Sequence, residues 1–124
     1  MVSKINSQVT TNFIVDTGAS VVTISHAVAD RLGMEYTGKP THRLITPSGV
    51  MYSPRIVLEA VHVPDETGAG VANVEAVVAT IPGSPSDVGG LLGQSFLRHF
   101  HVTIDAERGV MHLQSAGAAA GISR

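Results

Sequence analysis

Phe13-Ile14-Val15-Asp16-Thr17-Gly18-Ala19-Ser20 is an apolar run that stops on a carboxylate and continues into four small residues. Three bulky apolar side chains in succession predict an apolar strand, and the small residues after Asp16 predict a tight turn. A carboxylate delivered to the end of such a strand is costly unless donors receive it. Thr17 has a hydroxyl to offer, Gly18 and Ala19 can turn their N–H groups inward, and the lack of bulk leaves room above Asp16 for another molecule. Taken alone, the triplet Asp16-Thr17-Gly18 is equally served by an Asx turn in which the carboxylate merely caps local N–H groups. The rest of the sequence has to decide between a working and a capping carboxylate.

Working outward, Gln8 to Asp16 reads as one strand and the β-branched run Val21 to Ser25 as another, so two strands flank the loop. His26 to Leu32 reads as a short helix with Ser25 as N-cap and Gly33 as its C-terminal stop. Thr41 to Thr46, the turn Thr46-Pro47-Ser48-Gly49 and an arm from Val50 onward form a hairpin, with Pro54 marking an edge or a bend. Ile56 to Val63 and Val71 to Ile81 make a second strand pair across a polar, glycine-rich link. Pro82 to Gly90 reads as a loop and Gln94 to His99 as a short helix. Val102 to Asp105 and Val110 to Leu113 give a final hairpin around Glu107-Arg108-Gly109. Residues 1–114 are expected to form a single domain, and 115–124 an Ala- and Gly-rich tail too small-sided to pack, hence flexible.

Composition narrows the function. Of 124 residues 44 % are hydrophobic but only 4 % aromatic, so the core must be aliphatic. Charged residues amount to 15 % and the formal net charge is -2, which leaves no basic stripe for phosphates and argues against a nucleic-acid partner. The absence of cysteine removes disulfides, Cys-based zinc sites and thiol nucleophiles. Apolar stretches fall well short of the roughly 20 residues of a membrane helix, and Met1 to Gln8 has no apolar signal core. The expectation is a soluble domain with no membrane contact within this segment.

Far downstream of Asp16 stands a second run, Gly90-Leu91-Leu92-Gly93-Gln94-Ser95-Phe96-Leu97, a buried strand ending in Gly before a short helix. By itself it is ordinary punctuation. In this order, with a hairpin between, the chain resembles the retropepsin family of aspartic proteases, the retroviral proteases and their cellular and bacterial relatives. The resemblance spans roughly residues 8–114, and the Leu-Leu-Gly-x-Ser-Phe-Leu wording is most similar to the bacterial branch. It implies an all-β, retropepsin-like acid protease fold: a small closed β-barrel-like protomer with one or two short helices and a flap hairpin at Pro47-Ser48-Gly49. Where retroviral members commonly carry an acidic residue and an Arg, this chain has Ser20 and Gln94, which suggests a hydrogen bond in place of an ion pair. The cellular location stays undetermined; excision from a membrane-tethered or periplasmic bacterial protein is compatible with it.

The chemistry implied by the resemblance needs two carboxylates that share one proton, one activating water and the other donating to the scissile carbonyl. The chain has one Asp-Thr-Gly, and Asp30, Asp65, Asp87 and Asp105 lack that setting. The second Asp16 must come from another copy, so the implied enzyme is a homodimeric aspartic endopeptidase acting on peptide or protein substrates. The resemblance assigns catalysis to Asp16, Thr17 and Gly18, with Thr17 bonding across the two-fold axis. It assigns substrate binding to Ala19 and Ser20 along the groove and to Ser48, Gly49 and Val50 at the hairpin tip. Val22, Val50, Ile81 and Leu92 are further candidates for aliphatic pockets, and Met1 to Ile5 and Val110 to Ser115 for the dimer contact. No metal or organic cofactor is required.

Two other readings use the same residues. A catalytically silent module would keep the fold and dimerise without turnover, and intact Asp16 and Thr17 argue against it. A His-based metal-binding β-domain would rest on His99, His101 and His112, without the carboxylates or tight His spacing such sites usually add.

Overall fold

The computed structural model describes residues 1–46, 49–63, 70–81 and 87–115, with the side chains of Thr46, Val110 and Ser115 left aside. The strands are β1 (Val2–Ile5), β2 (Val9–Val15), β3 (Val22–Ile24), β4 (Thr41–Thr46), β5 (Gly49–His62), β6 (Gly70–Val78), β7 (Val88–Leu92), β8 (Phe100–Asp105) and β9 (Val110–Ser115). Two short helices, α1 (His26–Arg31) and α2 (Gln94–Leu97), complete the elements among the described residues. Six strands close a barrel in the order β1-β2-β7-β3-β6-β5, with β5 returning to β1 through Lys4↔His62 and Ile5↔Val61. β4 pairs with β5 alone, as a hairpin running out from the barrel. β8 and β9 form a separate two-stranded sheet. The all-β barrel with two short helices is thus observed.

The core is aliphatic apart from two rings. Phe13, Ile24, Leu58, Val61, Val74, Leu92 and Phe96 are all buried. Phe96 of α2 packs against Phe100 of β8 with centroids 5.0 Å apart, which ties the separate sheet to the barrel. β1 was not foreseen from sequence. Its inward row is Ser3 and Ile5, and Val2 points out, so alternation of apolar residues gives no strand signal there. The turn to β2 places Asn6 and Ser7 at φ +51 and +57, which short polar residues tolerate best. Because β1 is engaged by β2 along its length and by β5 at its end, Met1 to Ile5 belongs to its own barrel.

α1 ends as its sequence demands. Ser25 Oγ accepts from the Val28 N–H at 3.2 Å. At the other end Gly33, at φ +68, donates to Asp30 O while Met34 donates to Ala29 O, the paired bonds of a Schellman stop. Pro54 sits inside β5 where that strand leaves β4 and joins β6: Thr41↔Pro54 is followed by Arg55↔Val77. The buried side switches there from Ser53 to Ile56, which is the bend expected of it. The expected Pro82 to Gly90 loop is cut short. Val88 to Gly90 is not loop but the start of β7, because these glycines make room for close neighbours rather than for a turn. A Cβ on Gly90 would fall on the Thr23 carbonyl oxygen and 2.6 Å from Phe13 Cε2. The α2 helix stops at Leu97, short of His99, and the last hairpin turns where expected but its open end extends to Phe100 and Ser115. The tail expected to be flexible lies, from residue 116 on, outside the described residues, as do 82–86 of the Pro82 loop. No helix among the described residues is long and apolar enough to cross a membrane.

Candidate active site

β7 runs between the two strands that flank the Asp16 loop. It is parallel to β2 through Ile14↔Leu91 and Val15↔Leu92, and antiparallel to β3 through Thr23↔Leu91 and Ile24↔Gly90. The loop between β2 and β3 therefore straddles the C-terminal end of β7, directly beside α2. Asp16 N–H donates to Leu92 O at 3.0 Å, which pins the carboxylate-bearing residue to that end. Ala19 N–H closes the turn onto Asp16 O at 3.2 Å, and Gly18 N–H donates to Asp16 Oδ1 at 3.1 Å.

The far side of the loop is held by α2. The first N–H groups of a helix have no partner within it, and here they serve the loop: Gln94 N–H donates to Ala19 O at 2.8 Å and Ser95 N–H to Ser20 O at 3.1 Å. The Gln94 side chain adds a bond from Nε2 to Thr17 O at 2.8 Å. The expected Ser20–Gln94 side-chain bond is not formed. The longer amide reaches past Ser20 to the Thr17 carbonyl, and Ser20 is tied in through its own carbonyl instead. Gly93 lies so close beneath Val21 and Ala19 that no side chain fits.

Ser95 is a buried hydroxyl that sequence reasoning passed over. Its Oγ accepts from Val22 N–H at 2.9 Å and donates to Glu75 O at 2.6 Å, joining the end of the loop to β6. Its one outward signal is a polar residue directly before Phe96-Leu97, a pattern shared by many solvent-facing serines. Ser95→Ala should cost about 2–3 kcal/mol, since it strands one donor and one acceptor away from water. Urea unfolding measures this, and a loss below about 0.5 kcal/mol would mean that solvent replaces the hydroxyl.

Above this scaffold Asp16 and Ala19 are half-buried, and Thr17, Gly18 and Ser20 are exposed. The Thr17 hydroxyl has no partner among the described residues. Gly18 has an ordinary φ, and a Cβ there would meet nothing closer than Asp16 Oδ1 at 3.5 Å. Nothing among the described residues requires the missing side chain. Val22 and Leu92, expected at pockets, are fully buried in the core and have no surface to offer a ligand. Ile81 is half-buried.

Of the hairpin residues, Ser48 lies outside the described residues. Gly49 is exposed at φ +125, and Val50 pairs with Ile45. Alternation divides the hairpin into two faces. Val50, Ile45 and Tyr52 share the outward face and are 54 %, 78 % and 65 % exposed. Leu44 and Met51 pair on the opposite face, in line with buried Ser53, and so face the body. Sequence reasoning named Val50 and missed that inner pair. The separate cavity of about 320 Å³ lined by Thr10, Asn12, Ser25, Arg31 and Asp87 lies at the N-terminal ends of β2 and β7, the barrel end away from Asp16. Among the described residues no three His, Asp or Glu side chains gather as a metal ligand set, His99, His101 and His112 included.

Comparison with known proteins agrees with this geometry. A retropepsin-like aspartic protease from Rickettsia conorii superposes with a TM-score of 0.68 at 27 % identity, over 91 % of this chain and 79 % of that one. Two further structures share the fold at lower identity. The EIAV protease complexed with the inhibitor HBY-793 gives a TM-score of 0.60 at 19 % identity, over 79 % of this chain and 83 % of that one. The retroviral protease-like domain of Ddi1 from Leishmania major gives 0.55 at 17 %, over 90 % and 84 %. No curated protein matches by sequence. The family model described as aspartyl protease matches residues 2–96, from β1 through the helix that grips the Asp16 loop. The chain accordingly belongs to the aspartyl protease family and has its retropepsin-like fold.

Proposed function

We propose that two copies of this chain form an aspartic endopeptidase in which Asp16 of each supplies half of the reactive pair. The observation that carries this reading is a single carboxylate on a loop hydrogen-bonded from both sides, beside a bare Gly18 and a Thr17 hydroxyl with no partner among the described residues. A two-fold axis beside the loop gives all three a role. The carboxyls share one proton; the ionised one takes a proton from water as the water attacks the scissile carbonyl, and the other donates to the carbonyl oxygen. The tetrahedral species collapses with a proton passing to the leaving amine. No covalent intermediate forms and no metal or organic cofactor takes part.

Thr17 hydroxyls bond across the axis and set the loop separation, and Gly18 lets the substrate backbone approach. Ala19 and Ser20 line the groove. The β4–β5 hairpin acts as a flap that closes over the peptide with Ser48, Gly49 and Val50 at its tip, and Leu44 and Met51 on its inner face complete the cover. For the dimer contact, β1 is occupied in its own barrel, which favours the β8–β9 hairpin over Met1 to Ile5. One face of that hairpin carries Phe100, Val102, Ile104, Met111 and Leu113. Its root packs on the core, while Ile104 stands 66 % exposed beyond it.

Incubating the full chain with a peptide library across mildly acidic to neutral pH, over a range of protein concentrations, tests the reading. Turnover per protomer should rise with concentration, stop with a statine-type inhibitor and ignore chelators. Dimers that show no cleavage at any pH in that range would instead identify a silent binding module.

A further inference from the structure

The Thr17 carbonyl and the Gly18 N–H belong to one trans peptide unit, and in such a unit the two groups point in opposite directions. Gln94 Nε2 holds the carbonyl end at 2.8 Å, and the N–H end donates to Asp16 Oδ1 at 3.1 Å. One rigid plate thus lies between the amide and the carboxylate. Gln94 is itself anchored, since its N–H donates to Ala19 O at 2.8 Å. Among the described residues the Thr17 carbonyl has no other partner, and both Thr17 and Gly18 are exposed. A turn that contains glycine can rotate a peptide plane at little cost. Without Gln94 only the Gly18 N–H bond to Asp16 Oδ1 itself opposes that rotation, which would carry the Gly18 N–H off the carboxylate.

We propose that Gln94 is a positioning residue that aims the Asp16 carboxylate through the Thr17–Gly18 peptide. The proposal rests on the reading of Asp16 as catalytic. Small errors in the placement of a reacting group are expensive in rate, whereas binding of the remainder of a peptide depends on the groove. The effect should therefore fall on kcat and spare KM.

The experiment compares the full chain with Gln94→Met, which keeps length and loses the donor, and Gln94→Lys, which returns a donor to the end of a chain of similar reach. Two readouts are taken: steady-state cleavage of a peptide substrate, and exchange of the Gly18 amide proton by NMR. Gln94→Met should lower kcat about tenfold with KM within about twofold, and the Gly18 amide should exchange several-fold faster. Gln94→Lys should recover most of both. Unchanged Gly18 exchange in Gln94→Met, or full kcat with that exchange accelerated, overturns the proposal, and so does equal impairment of the Met and Lys variants. If the wild-type chain cleaves nothing, the protease reading falls separately, and the Gly18 signal still decides whether Gln94 governs the plate. Should Gln94→Met fail to fold, Gln94→Lys alone decides: it must keep most of the wild-type kcat and most of the wild-type Gly18 protection, and loss of either overturns the proposal.

Discussion

Asp16→Asn is expected to abolish peptide cleavage, by about 10⁴-fold or more in kcat/KM, while shifting folding stability by less than about 0.5 kcal/mol. The two halves of this expectation come from different features. Asparagine cannot hold the shared proton or accept one from water, so the reactive pair loses its chemistry. The fold barely registers the change, because the backbone of residue 16, not its side chain, is pinned to Leu92 and Ala19. The side chain accepts one bond, from Gly18 N–H, and an amide oxygen can accept it too. Mixing extends the test to the assembly. At fixed total protein, activity should fall as the square of the wild-type fraction, since only wild-type pairs carry two acids. A linear fall would place the whole reaction within one chain, and undiminished activity in Asp16→Asn would move it away from this loop.

The loop was legible because its chemistry is local. An apolar strand, a carboxylate and four small residues declare a received carboxylate within eight positions, and Ser25 and Gly33 declare the ends of α1 in the same way. What was not legible depends on neighbours distant in sequence. Ser3 occupies a core position that alternation reserves for an apolar residue, which hides β1 and with it the closure onto β5. Gly89 and Gly90 carry the composition of a turn, yet they are strand residues whose missing side chains admit Thr11, Thr23 and Phe13. Val22 and Leu92 have the apolarity of pocket walls, and apolarity alone does not separate a wall from the core behind it. Gln94 was singled out, but its partner depends on which way a carbonyl in the loop points.

Gly93→Ala should destabilise the chain by about 3 kcal/mol or more, although it adds one methyl group. The φ of -101° and ψ of -169° at Gly93 are ordinary extended values, so conformational freedom is not what the position requires. The requirement is space. A Cβ would fall on the Val21 carbonyl oxygen, 2.7 Å from the Val21 carbonyl carbon and 2.8 Å from the Ala19 carbonyl oxygen. All three atoms are backbone of the Asp16 loop, so no side chain can swing aside; β7 and α2 must withdraw from the loop, or the loop must rise. Either movement stretches the bonds from Gln94 and Ser95 to Ala19 and Ser20, so the loss of stability should bring loss of cleavage with it. Gly109→Ala is the control. At φ +65 in the turn between β8 and β9, with open space around it, alanine there meets only backbone strain of about 1 kcal/mol. Urea unfolding of the three chains at one protomer concentration gives the comparison. A Gly93→Ala chain as stable as Gly109→Ala would mean that the loop yields easily, and a yielding loop could not hold a carboxylate in place for catalysis.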